Sequence, residues 1–135
     1  MRKWMARVAV ALGAAALAFG AVTWYALEGR DVAVLRTLAA DGTVRETHVW
    51  AAEDGDALLV EAATPNRPWL ADIAAHPEVE LERAGATTRW LAVPQSGVGW
   101  HDEVRALLRA KYGWADRWVA LLQDTSSSVA VRLTR

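Results

Sequence analysis

The sequence predicts a mainly β member of the α+β class, a small barrel with short crossover helices, preceded by one N-terminal transmembrane helix. Three observations lead there. Residues 8–27 carry no charge. From residue 32 to residue 94, short apolar or alternating runs follow one another, divided by turn residues such as Asp41-Gly42 and Ala84-Gly85. Helical period replaces this pattern only after Asn66 and again from Asp102.

The first element is the apolar run Val8–Leu27. At about 1.5 Å per residue it spans roughly 30 Å as a helix, the thickness of a bilayer core. Trp4 precedes it and Trp24-Tyr25 lie near its far end, where aromatic rings favour the two interfaces. A cleaved signal peptide is the competing reading, with Met1–Arg7 as its basic region and Ala18-Phe19-Gly20 as its cleavage site. The run continues past that site and is longer than a signal core, which favours an uncleaved anchor. Alanine supplies eight of its residues, so the drive for insertion is modest. Residues 1–27 are thus expected as anchor and 28–135 as the folded domain. Arg2, Lys3 and Arg7 against Arg30 and Arg36 weakly favour an inside N-terminus, with the domain on the outer face.

Strands are expected over Val32–Leu38 and Thr43–Ala52, joined at Asp41-Gly42. On the second, Val44, Glu46, His48 and Trp50 share one face, and Arg45, Thr47, Val49 and Ala51 the other. Glu53-Asp54-Gly55-Asp56 reads as a solvated turn, since it lacks the ligand spacing of a calcium loop. Ala57–Ala62 is a strand buried on one face and partly on the other, its apolar run interrupted by Glu61. Thr64-Pro65-Asn66 stops it. Asn66 is the expected N-cap of a helix starting at Arg67, with Trp69, Leu70, Ile73 and Ala74 on one stripe. His76-Pro77 ends that helix, and strands follow over Glu78–Glu82 and Thr87–Pro94. Gly97-Val98-Gly99 is read as a loop. A helix from Asp102 places Val104, Leu107, Leu108 and Lys111-Tyr112 on one stripe and closes at Gly113. Ala115–Leu122 is a second helix, expected to bury Trp118, Leu121 and Leu122. Ser128–Leu133 is the last strand.

Charge and residue types exclude several functions. Without Arg2, Lys3 and Arg7, 12 basic residues face 16 acidic ones, which is unsuited to nucleic acid. The absence of cysteine removes disulfides, thiolate metal sites and cysteine nucleophiles. His48, His76 and His101 lack metal-ligand spacing, and His76 and His101 are expected at the surface. Neither a nucleophile elbow nor a P-loop is present. What remains is a helix start carrying Arg67, suited to a phosphate, beside a domain holding six tryptophans. Trp50, Trp69 and Trp90 read first as core, yet an aromatic-lined cleft there would suit a planar ring with a phosphate tail.

The order of elements and several segments resemble the split-barrel, flavin-binding superfamily of pyridoxine 5′-phosphate oxidase-like proteins, especially its nitroreductase-family, deazaflavin (F420)-dependent oxidoreductases. The matching segments are Arg36–Trp50, Asn66–Arg83, Lys111–Leu122 and Ser127–Leu133. The resemblance implies a split barrel with F420 or FMN lying along the second strand at Thr47, His48, Val49 and Trp50. It also implies a phosphate at the following loop and helix, here Thr64, Asn66, Arg67 and Trp69. Hydride transfer would pass through the cofactor itself to a small planar, quinone-like acceptor, with no obligatory catalytic side chain. A homodimer is implied too. Where better-characterised relatives carry a Gly-Arg-x-Ser-Gly hairpin, this chain has Ala40-Asp41-Gly42-Thr43. The alternative from another class is a non-enzymatic module holding flavin, haem or a lipid-soluble ligand in the same cleft.

Overall fold

The computed structural model describes residues 1–135. The chain forms α1 (Arg2–Glu28), β1 (Val32–Leu38), β2 (Val44–Asp54), β3 (Ala57–Ala62), α2 (Pro68–Ala75), β4 (Glu78–Arg83), β5 (Ala86–Pro94), α3 (Val98–Tyr112), α4 (Trp114–Leu122) and β6 (Val129–Thr134). The strands close into an antiparallel barrel in the order β1-β2-β3-β6-β5-β4. This is the expected mainly β barrel behind an apolar helix.

Alternation closes the barrel. Leu35 of β1, Val49 of β2, Val60 of β3, Leu81 of β4, Ala92 of β5 and Val131 of β6 all point inward, and Trp69 and Ile73 of α2 join the same buried cluster. β3 is buried on both faces because its outward Leu59 meets a second cluster. That cluster is built from Val104, Leu108 and Tyr112 of α3, Ala115 of α4 and Ala26 of α1. Gly55 takes φ +60 at the β2–β3 turn, a conformation that favours glycine.

One irregularity positions the site. β2 changes partners midway: Val44–Trp50 pair with β1, whereas only Ala51–Asp54 pair with β3. The first half of β2 therefore has an open edge where the barrel splits.

Three local expectations are corrected. Asn66 does not cap α2. Arg67 occupies the N-cap position at φ −62 and ψ 126, without a side-chain cap, because the residue before Pro68 is kept out of the α region. The segment read as a loop at Gly97-Val98-Gly99 instead opens α3: Gly97 takes φ 108 and the helix starts at Val98. Packing of Trp100 on the second cluster overrides the weak helix propensity of Gly99.

The third correction concerns α4, which buries Ala115 and Asp116 rather than its large apolar side chains. Leu121 is 82% exposed and Leu122 50%. Trp118 is half-buried against α1, where its ring lies 5.5 Å from that of Phe19 and its Nε1–H donates to Thr23 Oγ1 at 3.0 Å. The apolar side of α4 answers to α1, a helix that period counting treats as separate from the domain. α1 itself is long and apolar enough to cross a membrane, and Ala26 is its one buried residue.

Candidate functional site

A half-open cleft of about 240 Å³ lies where β2 parts from β3. Thr47, His48, Val49 and Trp50 form one wall, Arg67 and Trp69 of the α2 start another. Glu61, Arg105 and Asp116 line it from β3, α3 and α4, and Leu27 and Glu28 from the end of α1.

The β2 wall is held from behind. Trp50 stacks on Tyr112 with ring centroids 4.4 Å apart and 10° between planes, and its Nε1–H donates to the Leu27 carbonyl at 3.2 Å. Tyr112 Oη donates to the Asp31 carbonyl at 3.0 Å and accepts the Ala51 N–H at 3.3 Å. Burial pushes the Tyr112 phenol up to about 12, so it stays neutral and serves as a strut. At the mouth, His48 Nδ1 lies 2.8 Å from Glu28 Oε2.

Charge is distributed unevenly. Arg105, 14% exposed, bonds Glu61 at 2.9 Å and Asp116 at 2.6 Å. Burial opposes its charge, but those two carboxylates outweigh it and raise the guanidinium pKa. Arg109 adds a second cation 3.4 Å from Asp116, so two acids meet two bases here and the charges balance. Arg67 is exposed and has no carboxylate partner, which leaves it as the uncompensated cation of the cleft. α2 is held in turn by Asp72, which accepts from Thr37 Oγ1 at 2.7 Å and Arg45 Nε at 2.8 Å. Burial resists ionisation of Asp72, yet these two donors prevail and hold its pKa below the usual carboxylate value.

Six of the eight residues expected at the site line this cleft: Thr47, His48, Val49, Trp50, Arg67 and Trp69. Trp69 is 3% exposed and belongs to the barrel core, reaching the cleft from within it. Thr64 and Asn66 do not line it. Thr64 is half-buried, with its carbonyl accepting the Arg67 N–H at 3.4 Å, and Asn66 is exposed. Trp90 is core, 8% exposed. His101 is half-buried rather than superficial, its Nδ1 2.9 Å from Ser128 Oγ, which also donates to Glu61.

Sequence reasoning misses the Glu61–Arg105–Asp116 group. Its signals are a charge inside the apolar run of β3 and Asp116 in α4, whose other charge is Arg117. Long-range pairing of this kind has no spacing rule, so only the fold brings the three together. No cluster of three or more metal-ligating side chains occurs.

A protein-family model described as F420H(2)-dependent quinone reductase matches residues 11–132. A search among curated proteins found no significant sequence match. Among solved structures, a protein described as an F420 reductase aligns with TM-score 0.54 at 19% identity, covering 82% of this chain and 90% of its own. A Listeria innocua protein provisionally described as a pyridoxamine 5′-phosphate oxidase aligns with TM-score 0.57 at 16% identity, covering 81% and 86%. A third, described as a domain-swapped dimer, aligns with TM-score 0.59 at 16% identity, covering 77% and 80%. At these identities the structural likeness is one of fold.

Proposed function

Because the chain belongs to the F420H(2)-dependent quinone reductase family, we propose that the cleft at the open edge of β2 holds F420 or FMN against a planar, quinone-type acceptor. The chain is an oxidoreductase of the deazaflavin- or flavin-dependent kind. A cofactor of this class supplies the hydride when bound. The protein contributes position, electrostatics and shelter.

The observation that carries the reading is the meeting of the open β2 edge and the unpaired Arg67 in one cleft. Backbone N–H and C=O groups at Thr47–Trp50 suit the polar rim of a flat heterocycle. Arg67 suits its phosphate, in the bidentate geometry a guanidinium offers. Trp50, fixed by Tyr112 and Leu27, keeps one wall flat and apolar. Reduction of a quinone to a quinol needs a proton as well as a hydride. The His48 imidazole, held by Glu28 at the mouth, is placed to pass one in from solvent.

The reading includes tethering by α1 as an uncleaved single membrane span, supported by its length, its lack of charge between residues 8 and 27, and its exposure. It also includes a homodimer, supported by the outward-facing Leu91 and Val93 of β5, 45% and 44% exposed, and by the dimeric structural neighbour.

The test is titration of the full-length protein in nanodiscs with F420 and, separately, with FMN, read by cofactor fluorescence polarisation. Saturable binding of one cofactor per chain is expected for at least one of them. Failure of both to bind would remove the cleft as a cofactor site.

A further inference from the structure

The way α4 docks on α1 constrains where the domain sits relative to a membrane. The helices run antiparallel: Tyr25 stacks on Trp114 at 6.0 Å, whereas Phe19, earlier in α1, meets Trp118, later in α4. Phe19 is the earliest ring of α1 to meet α4. The apolar part of α1 ahead of it, Val8–Ala18, is only about 16 Å long at 1.5 Å per residue. A bilayer core is roughly 30 Å thick. Extending the span the other way would bury Arg7, Lys3 and Arg2. If α1 crosses the membrane, its docked part from Phe19 to Leu27 lies within it, and α4 lies alongside.

The exposed chemistry of α4 fits that location. Its outward residues are Leu121 at 82%, Leu122 at 50% and Trp114 at 43% exposure. Asp116, which lipid would not tolerate, is turned inward, 1% exposed and bonded to Arg105. Arg117 is the one exposed charge on the helix, and its long stem can carry the guanidinium up to headgroups. Trp24 and Tyr25 lie level with Trp114, forming an aromatic group of the kind that marks a membrane interface.

We infer that α4 is sunk into the acyl region of one leaflet beside α1, with Trp24, Tyr25 and Trp114 at headgroup level. The partner of this surface is the bilayer. α4 forms a wall of the cleft through Asp116, Val119 and Ala120, so this placement sets the cleft beside the acyl region, where a lipid-soluble acceptor concentrates. This rests on the proposal that α1 is an uncleaved span.

The chain has no cysteine, so single cysteines carry nitroxide labels without background. Leu121→Cys on α4, Leu12→Cys on α1 and Asp56→Cys in the exposed β2–β3 turn are introduced separately into the full-length protein in phosphatidylcholine–phosphatidylglycerol vesicles. Collision of each label with oxygen, which concentrates in lipid, is compared with collision with a water-soluble nickel chelate. The ratio is expected to be several-fold higher at Leu121→Cys and Leu12→Cys than at Asp56→Cys. Lipid exposure at Leu12→Cys with a water-like ratio at Leu121→Cys overturns the inference and leaves the span standing. Shielding of Leu121→Cys from both reagents places a second copy on α4 and also overturns it. A water-like ratio at Leu12→Cys removes the span and the inference together, and cofactor binding in the cleft is judged separately.

Discussion

Arg67 and Arg105 line the same cleft, yet Arg105 is bonded to Glu61 at 2.9 Å and Asp116 at 2.6 Å whereas Arg67 meets no carboxylate. One arginine holds the protein together, and the other is free for a ligand. Their substitutions therefore have opposite signatures.

Arg67→Ala is expected to weaken cofactor binding by about 1.5–3 kcal/mol, the range for a hydrogen bond to a charged group. Arg67→Lys restores part of that, because lysine keeps the charge and loses the paired geometry. Thermal stability without cofactor changes little, since the side chain is solvated. Titration of the three proteins with the better-bound cofactor checks this. Equal affinities would take Arg67 out of the site.

Arg105→Met leaves Glu61 and Asp116, with side chains 10% and 1% exposed, without their principal cation. The expected loss of folding stability is about 3–5 kcal/mol, as for breaking a buried ion pair from one side. Denaturant unfolding in detergent measures it. A loss below about 1 kcal/mol would mean that the acids find other partners or become neutral at little cost.

Asp72 makes stability depend on acid pH. Its folded-state pKa lies below the ordinary carboxylate value, so its contribution is full above about pH 4 and is lost as pH falls through the folded value. Asp72→Asn is expected to melt lower than wild type at pH 7 and to approach it toward pH 3. Melting curves across that range for both proteins supply the comparison. Parallel pH profiles would show that Asp72 is not the titrating link between α2 and the β1–β2 hairpin.

The docked end of α1 belongs to the domain's packing. Removal of Met1–Ala18 should keep the fold, because Thr23 still accepts from Trp118 and Ala26 stays in its cluster. Removal of Met1–Leu27 deletes both, along with the carbonyl that Trp50 bonds, and should lower the melting temperature. Equal melting of the two truncations would show that the α1–α4 contact contributes nothing.

Much of the fold is legible in the chain because its signals are local. Alternation at Val32–Leu38 and the apolar run Ala57–Ala62 coincide with β1 and β3, and Gly113 closes α3 as its position implies. What escapes is tertiary. The cap at Asn66 fails because Pro68 acts one residue upstream, on Arg67. The buried face of α4 is misassigned because α1 competes with the barrel for it. At the cleft, Thr47–Trp50 are reached from the sequence only through the family resemblance of their segment, and Arg67 through its place at a helix start, which is a local signal. Glu61, Arg105 and Asp116 stay hidden, since they come from three elements and meet only through folding.

The most direct measurement is anaerobic turnover. Full-length protein in nanodiscs containing a lipid-soluble quinone is mixed with reduced F420 and, in parallel, with reduced FMN, and the returning absorbance of oxidised cofactor is followed beside quinol yield. The account predicts catalytic oxidation of one of the two with one quinol formed per cofactor oxidised, slowed in Arg67→Ala at subsaturating cofactor. Intact protein that binds the cofactor and leaves the quinone oxidised, with either donor, would contradict it.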